Sequence, residues 1–260
     1  MPRPVSRFEI KYRIPPSQAA EIQDWLPRYM QADANGEGGS PVYRVHSLYL
    51  DSPDWSIYRD TRNGAYSRFK LRARCYDFRP TSDMFLEVKS RDGESMRKTR
   101  GVVSRTDAMA LMWDDVPPTR TSPEVEAFRL QMDRRQARPR LWVTYRRYAY
   151  VGGERGLIRV TFDDEIACAG PTRDLSEPPR WHLLPEVLGL VVLEVKYSGS
   201  YPGWVAELVR RFNLERRSMS KYKQGVDLYR DLPAHQRTEE DGATAPTVED
   251  PPSRAGGRAA

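Results

Sequence analysis

The sequence predicts an α+β fold, a closed antiparallel eight-stranded β-barrel (tunnel) with helices packed outside it. Three observations lead there. Two-residue alternation recurs in eight segments, amphipathic stretches lie between them, and the polar face of most strands is cationic rather than mixed. Alternation of period two puts successive side chains on opposite faces, as a half-buried strand requires. A long series of antiparallel strands commonly closes on itself, because closure leaves no unpaired edge.

The first strand, 7–14, sets Phe8, Ile10, Tyr12 and Ile14 against Arg7, Glu9, Lys11 and Arg13. Similar strands are expected at about 42–51, 66–76, 84–91, 96–103, 138–151, 157–164 and 190–199. Helices are expected at about 16–30, 53–61, 104–115, 122–135, 202–213 and 219–231. Stripes such as Leu111, Met112 and Trp113, or Val205, Leu208, Val209 and Phe212, need an apolar surface to cover. If that surface is the outside of the sheet, the charged faces line its inside. Those faces carry Arg68, Lys70, Arg72 and Arg74, then Glu87, Lys89 and Arg91, then Lys98 and Arg100. Arg159 with Asp163 and Glu194 with Lys196 follow on later strands. So many like charges facing one space repel one another unless an anion neutralises them. The pattern therefore calls for an anionic ligand.

Composition narrows the class further. A chain of 260 residues, 39% hydrophobic and 30% charged, reads as soluble and globular. No stretch approaches the ~18 to 20 apolar residues that span a bilayer, and Met1 to Ile10 has no apolar signal-peptide core. A cytoplasmic protein is expected, with Cys75 and Cys168 as buried free thiols. The folded unit is expected over residues 1–232. Residues 233–260, rich in Pro, Gly, Ala and Thr, read as a disordered tail. The tail carries a net charge of −2, which leaves about +8 of the total +6 on residues 1–232. His46, His182 and His235 are scattered, and no GxxxxGK[ST] run exists, which argues against a phosphohistidine enzyme or a P-loop. Nucleic acid is not expected as a partner, because Tyr and Trp do not interleave with the basic residues as a stacking platform would.

Seven short segments occur in order along the chain. They are Phe8-Glu9-Ile10-Lys11-Tyr12, Ser47-Leu48-Tyr49-Leu50-Asp51, Lys70-Leu71-Arg72-Ala73-Arg74, Phe85-Leu86-Glu87-Val88-Lys89, Arg159-Val160-Thr161-Phe162-Asp163, Leu193-Glu194-Val195-Lys196-Tyr197 and Ser220-Lys221-Tyr222. Together, over about residues 5–230, they resemble the VTC domain, the polyphosphate polymerase module of the triphosphate tunnel metalloenzyme superfamily. The resemblance implies a tunnel that binds ATP and threads polyphosphate, moving the γ-phosphate onto the chain end with manganese or magnesium as cofactor. It implies catalytic roles for Lys11, Arg72, Arg74, Lys89, Arg147 and Arg159. Phosphate contacts would come from Lys98, Tyr145, Lys196 and Lys221, the last closing one tunnel mouth. Glu194 would hold the metal, with Glu9 or Glu87 as helpers.

The residue types suit that chemistry. Phosphoryl transfer depends on positioning and charge neutralisation, and the arginine fork binds two phosphate oxygens together. A hard divalent ion partly bound by phosphate needs only one or two carboxylates, and a helix start at Ser220-Lys221 adds backbone donors. The chain departs from the superfamily at Arg7, which stands where the first glutamate of an ExExK pattern would be. That replacement leans toward polymer binding and away from the alternatives of the same fold, a tripolyphosphatase or nucleoside triphosphatase. A non-enzymatic polyphosphate-binding module is the third reading. With no transmembrane segment, polyphosphate export would need a membrane-protein partner. Deleting residues from about Gln236 onward is expected to leave the melting temperature unchanged; a clear fall in a thermal melt would show that the tail docks on the fold.

Overall fold

Alternation becomes strand in every segment where it was read, and the sheet that results is open. The computed structural model describes residues 7–33, 40–93, 95–153, 158–176, 179–233 and 236–237, with the backbone alone for Arg7. In chain order the elements are β1 (Arg7–Ile14), α1 (Pro16–Trp25), β2 (Met30–Ala32), β3 (Val42–Asp51), α2 (Ser56–Arg62), β4 (Ser67–Cys75), β5 (Asp83–Asp92) and β6 (Ser95–Ser104). They continue as α3 (Arg105–Asp114), α4 (Pro123–Arg134), β7 (Arg138–Gly152), β8 (Ile158–Ala169), β9 (His182–Leu183), β10 (Val191–Ser198), α5 (Gly203–Arg211) and α6 (Lys221–Asp231). The eight long strands run antiparallel in the order β1-β10-β8-β7-β3-β4-β5-β6, with the short β2 on β7 and β9 on β8.

The expected closed barrel is therefore corrected. β1 and β6 stand at opposite ends of the strand order, and no ladder joins them. The β1 edge is otherwise committed, and the β6 edge is charged. On β1, Arg217 N–H donates to the Lys11 carbonyl at 2.9 Å, and Tyr12 forms an isolated bridge with Arg216. The rim strand β6 bears exposed Arg97, Lys98 and Arg100, and charge of this kind discourages strand addition. The sheet nevertheless curls so far that Lys89 of β5 reaches Glu9 of β1, Nζ to Oε2, at 3.0 Å.

The convex face is apolar and covered by helices. Over β1, β10 and β8, α1 and α5 bury Ile22, Trp25, Val205 and Leu208 against Ile14, Leu193, Val195, Val160 and Phe162. Over β3 to β6, α3 and α4 bury Met112, Val125 and Phe128 against Leu48, Leu71, Leu86 and Val103. The placement of helices outside holds for these four and fails for α6. That helix lies on the concave face, at the end where the sheet presents Leu141, Val143, Ile166, Cys168 and Val192 rather than charge. An apolar patch inside the curl needs a cover of its own, and α6 supplies Tyr222 and Val226.

Two boundaries moved for identifiable reasons. α1 stops at Trp25 and passes into a 3-10 turn at Leu26–Arg28, because Pro27 has no N–H to continue the ladder. β8 runs on to Ala169, past an irregular register with Thr144 and Arg146 where Glu165 adopts φ +47°, so alternation breaks while pairing continues. Both cysteines are free and buried, as expected. His46 is a packed structural residue, bonded to the Thr144 hydroxyl at 3.0 Å and held neutral by burial, its pKa lowered to about 4. Among the described residues no helix is long and apolar enough to cross a membrane. Of the expected tail, Arg237 donates to the Leu232 carbonyl at 2.9 Å, and residues 238–260 lie outside the described residues.

One buried carboxylate fixes the seat of α6. Asp51 accepts from the backbone N–H groups of Ser52, Ile57 and Tyr58 at 2.7, 2.9 and 2.8 Å, and from the Tyr222 hydroxyl. It thus ties the start of α2 to the first turn of α6. At Gly225, a Cβ would stand 2.7 Å from Leu141 Cδ2 and 3.3 Å from Cys168 Cβ, so sheet side chains pack directly on the α6 backbone there. Gly225→Leu is expected to overpack this contact by about 1 to 3 kcal/mol, lowering the midpoint of a thermal melt by several degrees; an unchanged midpoint would mean the helix can slide freely.

Candidate functional site

Register places the charges before any side chain is considered. On the concave face Glu9 lies opposite Lys196, Lys11 opposite Glu194, and Lys196 opposite Arg159. On the other half Arg72 faces Glu87, Glu87 faces Arg100, and Lys89 sits between Lys70 and Lys98. β3 and β7 join the halves, with Tyr43 opposite Arg147 and Tyr49 opposite Arg72.

The centre of one half is Glu194, which is buried and ringed by ammonium groups. Lys221 and Lys11 approach its Oε1 at 3.2 and 3.4 Å, and Lys196 approaches Oε2 at 2.5 Å. Burial opposes its charge, yet Lys11, Lys196, Lys221 and Arg147 hold it well below the usual carboxylate range. Lys221 also contacts Asp163 at 2.7 Å, and Arg147 grips both Asp163 oxygens, at 2.6 and 2.7 Å. Lys11 reaches Glu9 at 3.0 Å and donates to the Met219 carbonyl at 3.0 Å. Ser220 caps α6, its hydroxyl accepting from Lys223 N–H at 3.2 Å, which holds Lys221 at the helix start facing the two acids.

The second centre is Glu87, with Lys98 at 2.6 Å, Arg72 at 2.5 Å, and Arg74 and Arg100 at 3.8 Å. Beside it the row Lys70, Lys89 and Lys98 is compensated only in part, Lys98 by Glu87 and Lys89 by Glu9. Lys70 forms no ion pair with a described residue; its Nζ donates to the Ser220 hydroxyl at 2.8 Å. Burial, then Lys11, Lys89 and Arg72, push its pKa down to about 7, and burial brings Lys98 to about 8 against the pull of Glu87. Like charges set directly across a ladder are unfavourable, so this row favours an incoming anion.

All the residues expected from the sequence, Lys11, Arg72, Arg74, Lys89, Lys98, Tyr145, Arg147, Arg159, Glu194, Lys196 and Lys221, lie on or beside this face. Arg159 stands nearer its rim, against Asp33 at 2.5 Å and the Tyr43 hydroxyl at 2.9 Å. The Tyr145 ring lies 4.8 Å from Lys221 Nζ and 5.0 Å from the Arg147 guanidinium, a π-face between two cations. Sequence reasoning left out Asp163 and Lys70 as site members, although the alternation had already put both on the charged faces. Asp33, in the connection after β2, had no such signal.

Glu194 could give a divalent metal one hard oxygen donor only by exchanging an ammonium group, because Lys11, Lys196 and Lys221 now occupy both its oxygens. Of the two expected helpers, Glu9 shares Lys11 with Glu194, whereas Glu87 serves the other centre. Among the described residues no group of three or more His, Cys, Asp or Glu could hold a metal unaided. Phosphate oxygens would complete the shell.

The site is thus the concave face of a curled antiparallel sheet on which cations and carboxylates interleave. The sequence model of the VTC domain matches residues 6–230, and the chain belongs to that family. Membership supports a triphosphate-handling function. No protein of curated function matches the sequence. Among solved structures, the chain is similar to a candidate adenylate cyclase from Bacillus halodurans, with 12% identity over 83% of this chain and 95% of that one, and a TM-score of 0.49. It is also similar to a protein from Pyrococcus horikoshii OT3, with 10% identity over 85% and 99% of the two chains and a TM-score of 0.44.

A lysine whose pKa lies near 7 is mostly neutral at pH 8, and an anion beside it raises that pKa. Tripolyphosphate binding at pH 8 is therefore expected to take up protons. Calorimetry in two buffers of different ionisation enthalpy should show the uptake shrinking toward pH 6, and shrinking at pH 8 in Lys70→Met. Equal uptake in wild type and variant would place the titrating group elsewhere.

Proposed function

We propose that this chain is a metal-dependent polyphosphate polymerase that transfers the γ-phosphate of ATP to the end of a polyphosphate chain. The observation that carries this reading is the extent of the cation array. The Glu194 centre, the Glu87 centre and the lysine row between them offer more phosphate contacts than one nucleotide can occupy. A hydrolase needs room only for water beside its triphosphate, whereas a polymerase needs cations for donor and acceptor together.

In the proposed reaction a terminal oxygen of the acceptor chain attacks the γ-phosphorus, the bond to the β-phosphate oxygen breaks, and ADP leaves. The attacking oxygen is already ionised near neutral pH, so no protein base is required. Arg72, Arg74, Lys11, Lys89, Arg147 and Arg159 would orient and neutralise the phosphates. Lys98, Lys196, Lys221 and Tyr145 would fix the chain around them. Manganese or magnesium, held by Glu194 with Glu9 nearby, would supply further charge neutralisation at the phosphate oxygens. Each carboxylate now paired with a lysine would release that lysine to a phosphate as the anion enters.

Purified protein incubated with ATP and Mn²⁺ is expected to yield long polyphosphate and ADP. Free phosphate as the sole product at every acceptor concentration would establish the hydrolase, and tight polyphosphate binding without turnover would establish a binding module. Glu194→Gln is expected to lower turnover by about 10² to 10³. Metal-free tripolyphosphate should bind the variant at least as tightly, because three lysines lose a competing acid. Wild-type-like activity across a manganese titration would make Glu194 a structural partner only.

A further inference from the structure

The cation rows do not end at Lys70 and Lys89. One step farther toward the β5–β6 turn, and away from the β4–β5 turn, Arg68 and Arg91 are direct partners in the ladder, on the same face as Lys70 and Lys89. Asp92, the nearest described acid in sequence, pairs with Ser67 and so points to the other face. Neither arginine forms an ion pair with a described residue. Arg68 donates to the Ala65 carbonyl, and Arg91 Nε donates to the Gly93 carbonyl at 2.9 Å. Burial and the charge of Arg91 together lower the pKa of Arg68. Two guanidinium groups held across one ladder repel each other, and backbone carbonyls hold them in place without cancelling their charge.

We propose that Arg68 and Arg91 form an outlying binding site for chain polyphosphate, continuing a track that runs along β4 and β5 from the Glu87 centre. The inference rests on the polyphosphate reading of the concave face and adds the direction in which the polymer lies. Successive rows are Arg72 with Arg100 about Glu87, then Lys70, Lys89 and Lys98, then Arg68 with Arg91. From the first row to the last is four residues of strand, about 14 Å, which exceeds the reach of a triphosphate seated at the first. The outer site is therefore selective for length: a long chain touches it, and tripolyphosphate does not. It lies beyond Lys70, whose Nζ marks the start of α6 through Ser220, so the polymer passes that helix end on the β4–β5 side.

The test compares metal-free binding of tripolyphosphate and of long-chain sodium polyphosphate to the full chain and to Arg68→Gln/Arg91→Gln. The double variant is expected to bind the long chain about tenfold more weakly and tripolyphosphate within twofold of wild type. Its dependence of log K on log salt should be shallower by about one to two, as for two lost contacts to a flexible polyanion. Arg97→Gln, on the opposite face of β6 where it pairs with Ser90, should change neither affinity. Unchanged long-chain affinity in the double variant, with tripolyphosphate still bound, overturns the outer site and leaves the proposed function standing. Equal weakening of both ligands, or an equal effect of Arg97→Gln, also overturns it by showing a general charge effect. Failure of the wild type to bind either ligand removes the polyphosphate reading and the outer site with it.

Discussion

A concave sheet face can hold crowded lysine and arginine side chains only if carboxylates are dispersed among them. Glu194, Asp163, Glu87 and Glu9 meet that condition, each contacting two or more cations. Breaking a buried pair of this kind by removing one partner typically costs about 3 to 5 kcal/mol, because a buried charge is stranded. The acids are therefore as much part of the fold as the apolar convex face. They leave the face pre-organised yet still cationic, since Lys70 has no described acid partner and Lys89 and Lys98 share theirs with other cations. On the proposed function, ligand binding would be an exchange of partners, in which phosphate oxygens replace carboxylates.

The helix α6 links this electrostatic arrangement to the core. Its first turn carries Lys221 to Asp163 and Glu194, and its second residue, Tyr222, reaches Asp51. Asp51 is bonded in turn to the first turn of α2, and Tyr58 of α2 donates to Asp227 of α6. One cation of the site is thus positioned through two helices and three strands. Chain segments far apart in sequence meet at a single carboxylate, so small shifts of α6 are opposed by several hydrogen bonds together.

Much of this was legible in the alternation. Strands such as 7–14 and 42–51 emerge with their expected limits, and the charged faces they predicted gather on one side of the sheet. The pattern identifies faces, however, and says nothing about which edges pair. The segment 216–217 occupies the edge of β1, a competition that no periodicity reveals. The bulge at Glu165 inverts the alternation locally, which hid the last third of β8. The concave position of α6 was hidden for a different reason. Its cover is needed because Leu141 and Val143 share the parity of Tyr145 and Arg147, with Cys168 paired to Val143 beyond the bulge, and that mixture reads as an ordinary strand.

Because β1 and β6 share no ladder, the opening of the curled sheet is bridged, among the described residues, by a side-chain contact between β5 and β1. Lys89 and Glu9 bridge it at 3.0 Å. A ladder in that position would have contributed several backbone hydrogen bonds of about 1 kcal/mol each, whereas a partly exposed ion pair contributes about 0 to 1 kcal/mol. The fastening is weak, weakens further with salt, and competes for the same lysine that an arriving phosphate would take. Loss of this contact, by salt or by an anion at Lys89, would leave β5 and β1 untied at this point.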